Sequence, residues 1–183
     1  MRIPRIWLVV AAISSCRHAA PAPEQPEAAS SPEMSRELRD MILHGSRAKF
    51  DLPASKDPVW GVVMDWGLPN GTVTMVAIVD GNASYYLSTG GGAIGGGGQP
   101  PVRQAAIQAV AAAGEVVSRA KATSQYPLAG PGQVTFYLLT DSGVLAVGAT
   151  DKELDDERHP LSKLYGACQE VLTQFRLLDE SGQ

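Results

Sequence analysis

The chain has 183 residues, with 15 basic against 19 acidic side chains and a formal charge of −4. No basic run or basic face interrupts that acidic balance, which excludes a nucleic-acid binder held by phosphate contacts. The length past the N-terminal segment suits one hydrophobic core, and no internal repeat divides it.

Arg2 and Arg5 precede an apolar run over residues 6–13, too short to span a bilayer as a helix. The run closes on Ile13-Ser14-Ser15-Cys16. This arrangement resembles a bacterial lipoprotein signal peptide: a positive start, an apolar core, and a lipobox of one branched apolar residue, two small residues and a cysteine. The resemblance implies cleavage before Cys16 and acylation of its thiol, with several acyl chains giving firm membrane attachment. Removal of residues 1–15 would take two arginines from the 15 basic residues, leaving 13 against 19 acidic and a formal charge of −6. With Cys16 acylated, Cys168 has no intramolecular partner, so a disulfide framework is excluded.

Residues 17–32 hold four prolines and five alanines and little that could build a core, the composition of a flexible tether between anchor and domain. The division that follows is a signal peptide at 1–15, a lipidated Cys16 and tether at 16–32, one domain at 33–178 and a tail at 179–183. The location expected is the bacterial cell envelope, lipid-anchored. Arg17, in place of the aspartate that resembles an inner-membrane retention signal, favours the outer membrane. The alternative starts translation at Met34 and leaves a cytoplasmic protein.

Within the domain, Met34, Leu38, Met41 and Ile42 share one side of a helix expected over residues 33–49. Asp51-Leu52-Pro53 and Asp57-Pro58 break the chain before a strand over 59–66, whose alternation places Trp60, Val62, Met64 and Trp66 on one face. Pro69-Asn70-Gly71 turns it into a second strand over 72–79, and Asp80-Gly81 leads to a third over 83–89. Pro101 suits the first position of a long helix. Its apolar face carries Val102, Ala105, Ala106, Ala109, Val110, Ala113, Val116, Val117 and Ala120. A second hairpin covers 134–139 and 144–147 around Thr140-Asp141-Ser142-Gly143. Leu161, Leu164, Tyr165, Cys168, Val171, Leu172 and Phe175 mark a closing amphipathic helix after Pro160. The order helix, three strands, helix, two strands, helix predicts an α+β fold: a mostly antiparallel five-stranded sheet with helices on one face.

That order resembles the profilin-like layout of roadblock and longin domains, in which a long helix crosses an antiparallel sheet after the first hairpin. The resemblance covers residues 33–178 and implies a non-enzymatic dimerising platform for small GTPases or scaffolds. An exported protein would meet no such GTPases. Trp60-Gly61-Val62 and the run Tyr86-Leu87-Ser88-Thr89-Gly90-Gly91-Gly92-Ala93-Ile94-Gly95-Gly96-Gly97 are also similar to a family of uncharacterised bacterial proteins, which implies no activity.

Seven of the nine residues from 90 to 98 are glycine. Gly90-x-Gly92-x-x-Gly95 fits the spacing of a dinucleotide fingerprint, but the neighbouring strands form hairpins, not a βαβ unit, and no Lys-Ser or Lys-Thr follows as in a Walker loop. A permissive connection pinned by Ile94 is the favoured reading. Gly90, Gly91, Gly92, Gly95 and Gly96 remain the candidates for a ligand or partner loop, because functional contacts gather on such loops.

No catalytic or metal-binding constellation and no cofactor is expected. His18, His44 and His159 lack ligand spacing, the acidic run 151–157 lacks a calcium-loop rhythm, and Ser88, Ser142 and Ser162 lack a nucleophile elbow. Cys168 falls on an apolar stripe as a small buried thiol. Trp60, Trp66, Tyr85 and Tyr86 belong to the core or to a partner surface on an uncovered sheet face. The expected function is therefore a small binding or scaffolding domain anchored in the membrane, with a protein partner or a second copy as its target. The alternatives are a cytosolic roadblock-like regulator and a nucleotide or anion binder using the 90–98 loop.

Overall fold

The computed structural model describes residues 27–28 and 31–181. The signal segment and Cys16 lie outside them. The described chain runs through β1 (Glu27–Ala28), α1 (Pro32–Leu43), β2 (Val59–Leu68), β3 (Gly71–Ile78), β4 (Ala83–Leu87), β5 (Gly92–Ile94) and α2 (Pro100–Glu115). It continues through β6 (Lys121–Ala122), β7 (Gln133–Thr140), β8 (Gly143–Thr150), α3 (Asp151–Leu154) and α4 (Ser162–Ser181). One antiparallel sheet takes the order β1-β5-β4-β3-β2-β7-β8-β6. The five expected strands are its five long ones, and the α+β class holds. The count of five is corrected to eight, counting the two-residue β1, because short strands extend both edges.

The expectation of helices on one face is also corrected. Helices α2 and α4 pack on the face carrying Val62, Met64, Met75, Phe136 and Leu138, with Ala106, Ala109, Cys168, Val171 and Phe175 filling the space between. Small residues on α2 bring its backbone close to the sheet, as their spacing predicts. The opposite face carries Trp60, Val63, Val76, Ile78, Tyr137 and Leu139, too much apolar surface to leave in water, and α1 covers it with Ile42 and Leu43.

Strand β2 supplies both faces by alternation and carries a bulge near its start. Val59 pairs with Thr140 and Gly61 with Leu139, so Trp60 is the additional residue and the alternation slips by one. Trp60 therefore turns toward α1 while Val62, Met64 and Trp66 keep the α2 face, against the expectation that all four share a face. A one-residue slip inverts the side of everything before it.

The domain starts earlier and ends later than composition suggests. Ser31 caps α1 by accepting from the Met34 N–H at 3.2 Å, and Pro32 occupies the first turn, where its missing N–H costs nothing. Glu27 and Ala28, inside the stretch expected as a tether, pair with Ile94 and Ala93 of β5. Helix α2 begins at Pro100, one residue before the expected Pro101, and α4 continues through Ser181 into the expected tail.

The glycine run is absorbed by these contacts. Gly92 lies in β5 at φ 139°, where a Cβ would sit 2.1 Å from the Tyr85 carbonyl oxygen, and a Cβ on Gly96 would sit 2.5 Å from the Phe175 ring. Alanine at Gly92 or Gly96 should each cost about 1–3 kcal/mol by overpacking, read as a fall in denaturation midpoint. At Gly114, where a Cβ meets open space in α2, alanine should instead raise stability by up to about 1 kcal/mol.

Candidate functional site

The α1 face of the sheet changes character along its strands. At the Trp60 end it is apolar; at the other end the same alternation delivers Asp65 from β2, Thr72 and Thr74 from β3, and Ser84 and Tyr86 from β4, all buried. Asp65 has no solvent exposure. A carboxylate there needs a partner, since burying it alone would cost several kcal/mol.

Arg39 of α1 is that partner. Its Nε donates to both Asp65 oxygens at 3.1 and 3.3 Å, and its Nη2 donates to Oδ2 at 2.5 Å and to the Tyr126 carbonyl at 3.0 Å. Thr74 Oγ1 donates to Asp65 Oδ1 at 2.6 Å, and the guanidinium carbon lies 5.5 Å from the Tyr137 ring centre. The pair explains which side of α1 faces inward. Ser35, Arg39, Ile42 and Leu43 are buried, whereas Met34 and Met41, expected on the apolar side, are exposed.

An irregular strap over residues 123–132 completes the cover. Tyr137 Oη donates to the Pro127 carbonyl at 2.7 Å, Thr72 Oγ1 to the Ala129 carbonyl at 3.0 Å, and the Gly132 N–H to the Gly67 carbonyl at 2.8 Å. The strap passes so close that a Cβ on Gly67 would lie 1.8 Å from the Gly130 oxygen. Tyr126 packs edge-on against both His44 and Tyr137.

Between α1, the polar half of the sheet and the strap lies a cavity of about 280 Å³. Arg36, Ser88 and Leu128 stand around it with Arg39, Thr74, Tyr86 and Tyr126. Ser35 also lines it; its side chain is 4 % exposed and its Oγ has no hydrogen-bond partner. A buried hydroxyl without a protein partner is uncommon in a native fold.

Burial raises the Tyr86 hydroxyl above its ordinary pKa, partly offset by a hydrogen bond from Ser84. Burial, then the nearby Asp65 charge, raises Tyr137, with Arg39 acting against them. Both phenols keep their protons and remain donors at neutral pH.

The residues singled out by sequence lie mostly elsewhere. Gly92, Gly95 and Gly96 serve the sheet edge and the approach to α2, while Gly90 abuts Ser31 and Pro32 at the rim of the cavity, and Gly91 lies 3.6 Å from Leu87 by its would-be Cβ. Cys168 is fully buried and burial raises its pKa, as suits an inert thiol. Ser162 Oγ donates to the Leu154 and Asp156 carbonyls, and the acidic run is organised by the Thr150–Glu153 capping box and the Asp156–Arg158 pair. Among the described residues no group of His, Cys, Asp and Glu is arranged to hold a metal ion. No helix among them is long and apolar enough to cross a membrane. Sequence reasoning missed Asp65, Thr74 and Arg39; the usable signal was an aspartate set within the strand 59–68.

Asp65→Asn should destabilise by about 3–5 kcal/mol in urea unfolding, since it leaves Arg39 buried and unpaired. The double replacement Asp65→Leu with Arg39→Met should recover most of that loss. For pH, a raised folded pKa means that the tyrosines stabilise the fold below their ordinary value near 10. Stability should fall as pH rises beyond it, with tyrosinate absorbance rising as the protein unfolds. No family model, curated protein or solved structure matches this chain.

Proposed function

We propose that this chain is an exported lipoprotein whose single domain acts by binding, without catalysis, through the cavity between α1, the sheet and the strap. The observation that carries the reading is Ser35 Oγ, buried beside Arg39 in a cavity and left without a partner. The cavity collects hydroxyls and guanidinium groups, which supports a binding role. The lipid anchor rests on Ile13-Ser14-Ser15-Cys16 and on the charge and apolarity of the segment before it. Export places the site in the cell envelope, with the outer membrane preferred on the residue after the cysteine.

The roadblock-like reading is supported by the long α2 laid across one face of the antiparallel sheet with α1 on the other. Here β5 intervenes before α2, and β2 pairs with β7 at the sheet centre. We take from it only a non-enzymatic platform, not its GTPase partners. The 90–98 loop is read as structural, since Gly90, Gly92, Gly96 and Gly97 meet backbone and side chains of their own domain and Gly95 takes a left-handed φ of 79°.

Two measurements test the proposal. Labelled palmitate should enter the wild-type protein and not Cys16→Ser; equal labelling would overturn the anchor. In thermal melts, the detergent-solubilised full chain should be stabilised by a small-molecule ligand. Arg36→Trp, an exposed replacement at the cavity mouth, should abolish that shift. Stabilisation that survives Arg36→Trp would remove the cavity as the binding site.

A further inference from the structure

The hydrogen-bonding capacity left open in the cavity is mostly donors. Ser35 Oγ has no partner. Ser88 Oγ already accepts from the Thr72 N–H at 2.8 Å, which leaves its own proton to give. Tyr86 keeps its phenolic proton. Arg39 spends Nε and Nη2 on Asp65 and Tyr126 and also interacts with the Tyr137 phenol. Arg36 forms no ion pair among the described residues. The deeper acceptors are engaged, both Asp65 oxygens by Arg39 and Thr74 and the Tyr126 carbonyl by Arg39, while the Asp40 carboxylate stands at the cavity edge. Pro32, Ser35 and Arg36 come from the N-terminal part of α1, the positive end of the helix dipole. A donor-rich wall beside an unpaired guanidinium selects an anionic, acceptor-only group.

The remaining wall is apolar. Tyr126 and Leu128 line the same space, and Leu128 is 49 % exposed. The volume of about 280 Å³ corresponds to roughly nine water volumes, which admits a ligand of about ten non-hydrogen atoms. Resting on the binding role proposed above, we infer that the ligand is a small monocarboxylate with a compact apolar body. Its carboxylate is held by Arg36 and Ser35, and its body lies against Tyr126 and Leu128. Asp40, at the cavity edge one turn from Arg36, opposes the ligand charge and sets an upper limit on affinity.

Calorimetric titration of the detergent-solubilised full chain tests this with benzoate, its neutral counterpart benzamide and inorganic phosphate. Benzoate should bind, benzamide and phosphate far more weakly. Arg36→Gln should weaken benzoate roughly tenfold, the worth of one charge-assisted contact. Ser35→Ala should weaken it less, and Asp40→Asn should tighten it. Each substitution at Arg36 and Asp40 is on the exposed side of α1, so folding is preserved. Benzamide or phosphate binding as tightly as benzoate would overturn the inference, as would benzoate affinity unchanged by Arg36→Gln or weakened by Asp40→Asn. A neutral or cationic ligand lost on Arg36→Trp would overturn the carboxylate while leaving the binding role intact. The absence of any ligand would overturn both.

Discussion

The Arg39–Asp65 pair is the constraint around which the α1 side of this domain is arranged. A carboxylate with no exposure in the middle of a sheet demands a cation, and one positioned to bond both oxygens. That demand rotates α1 so that an arginine, not its methionines, faces the core. The second guanidinium nitrogen then captures the Tyr126 carbonyl and fixes the strap. One ion pair thus sets a helix rotation, a loop path and the walls of a cavity. Compared with a hydrophobic replacement it is a poor source of stability, so its presence is better explained by the polar space that it creates beside it.

The two faces of the sheet were unequally legible in sequence. On the α2 face, small and apolar residues at helical spacing met apolar residues at strand spacing, and periodicity assigned both except at the ends, where Trp60 lies on the other face and α2 stops at Glu115, before Val116, Val117 and Ala120. On the other face, alternation broke at Gly61, where an extra residue reverses the side on which Trp60 lies. Bulges leave no periodic signature, because they are the place where the period fails. Asp65, Thr72 and Thr74 alternate with apolar residues as solvent-facing positions do, and only the tertiary partner Arg39 makes them interior. Helix α1 misled for the same reason: Met34 and Met41 carry the greater hydrophobicity, but the single buried ion pair decides orientation.

The glycine run shows the converse. Its composition is the most conspicuous feature of the domain and matches a nucleotide-binding spacing, yet contact distances account for Gly92 and Gly96 through strand pairing and the Phe175 ring. Glycine abundance reports close approach of atoms, and a neighbouring backbone creates that need as readily as a phosphate. The link between that run and the candidate site is indirect. Gly90 lets the turn after β4 press against Ser31 and Pro32, seating the first turn of α1 over Ser88.

The pairing of Glu27 and Ala28 with β5 shortens the stretch of chain between Cys16 and the sheet. Glu27 lies eleven positions beyond Cys16. At roughly 3.3–3.6 Å per residue, a lipid carried on Cys16 would leave at most about 40 Å of chain between bilayer and sheet. The sheet edge held at that distance is the one beside β4, whose Tyr86 lines the cavity together with Ser88 just after it, so its mouth would sample a shell of solvent close to the headgroups. Ligands that partition toward the membrane surface would then meet the site at a local concentration above that of the surrounding fluid.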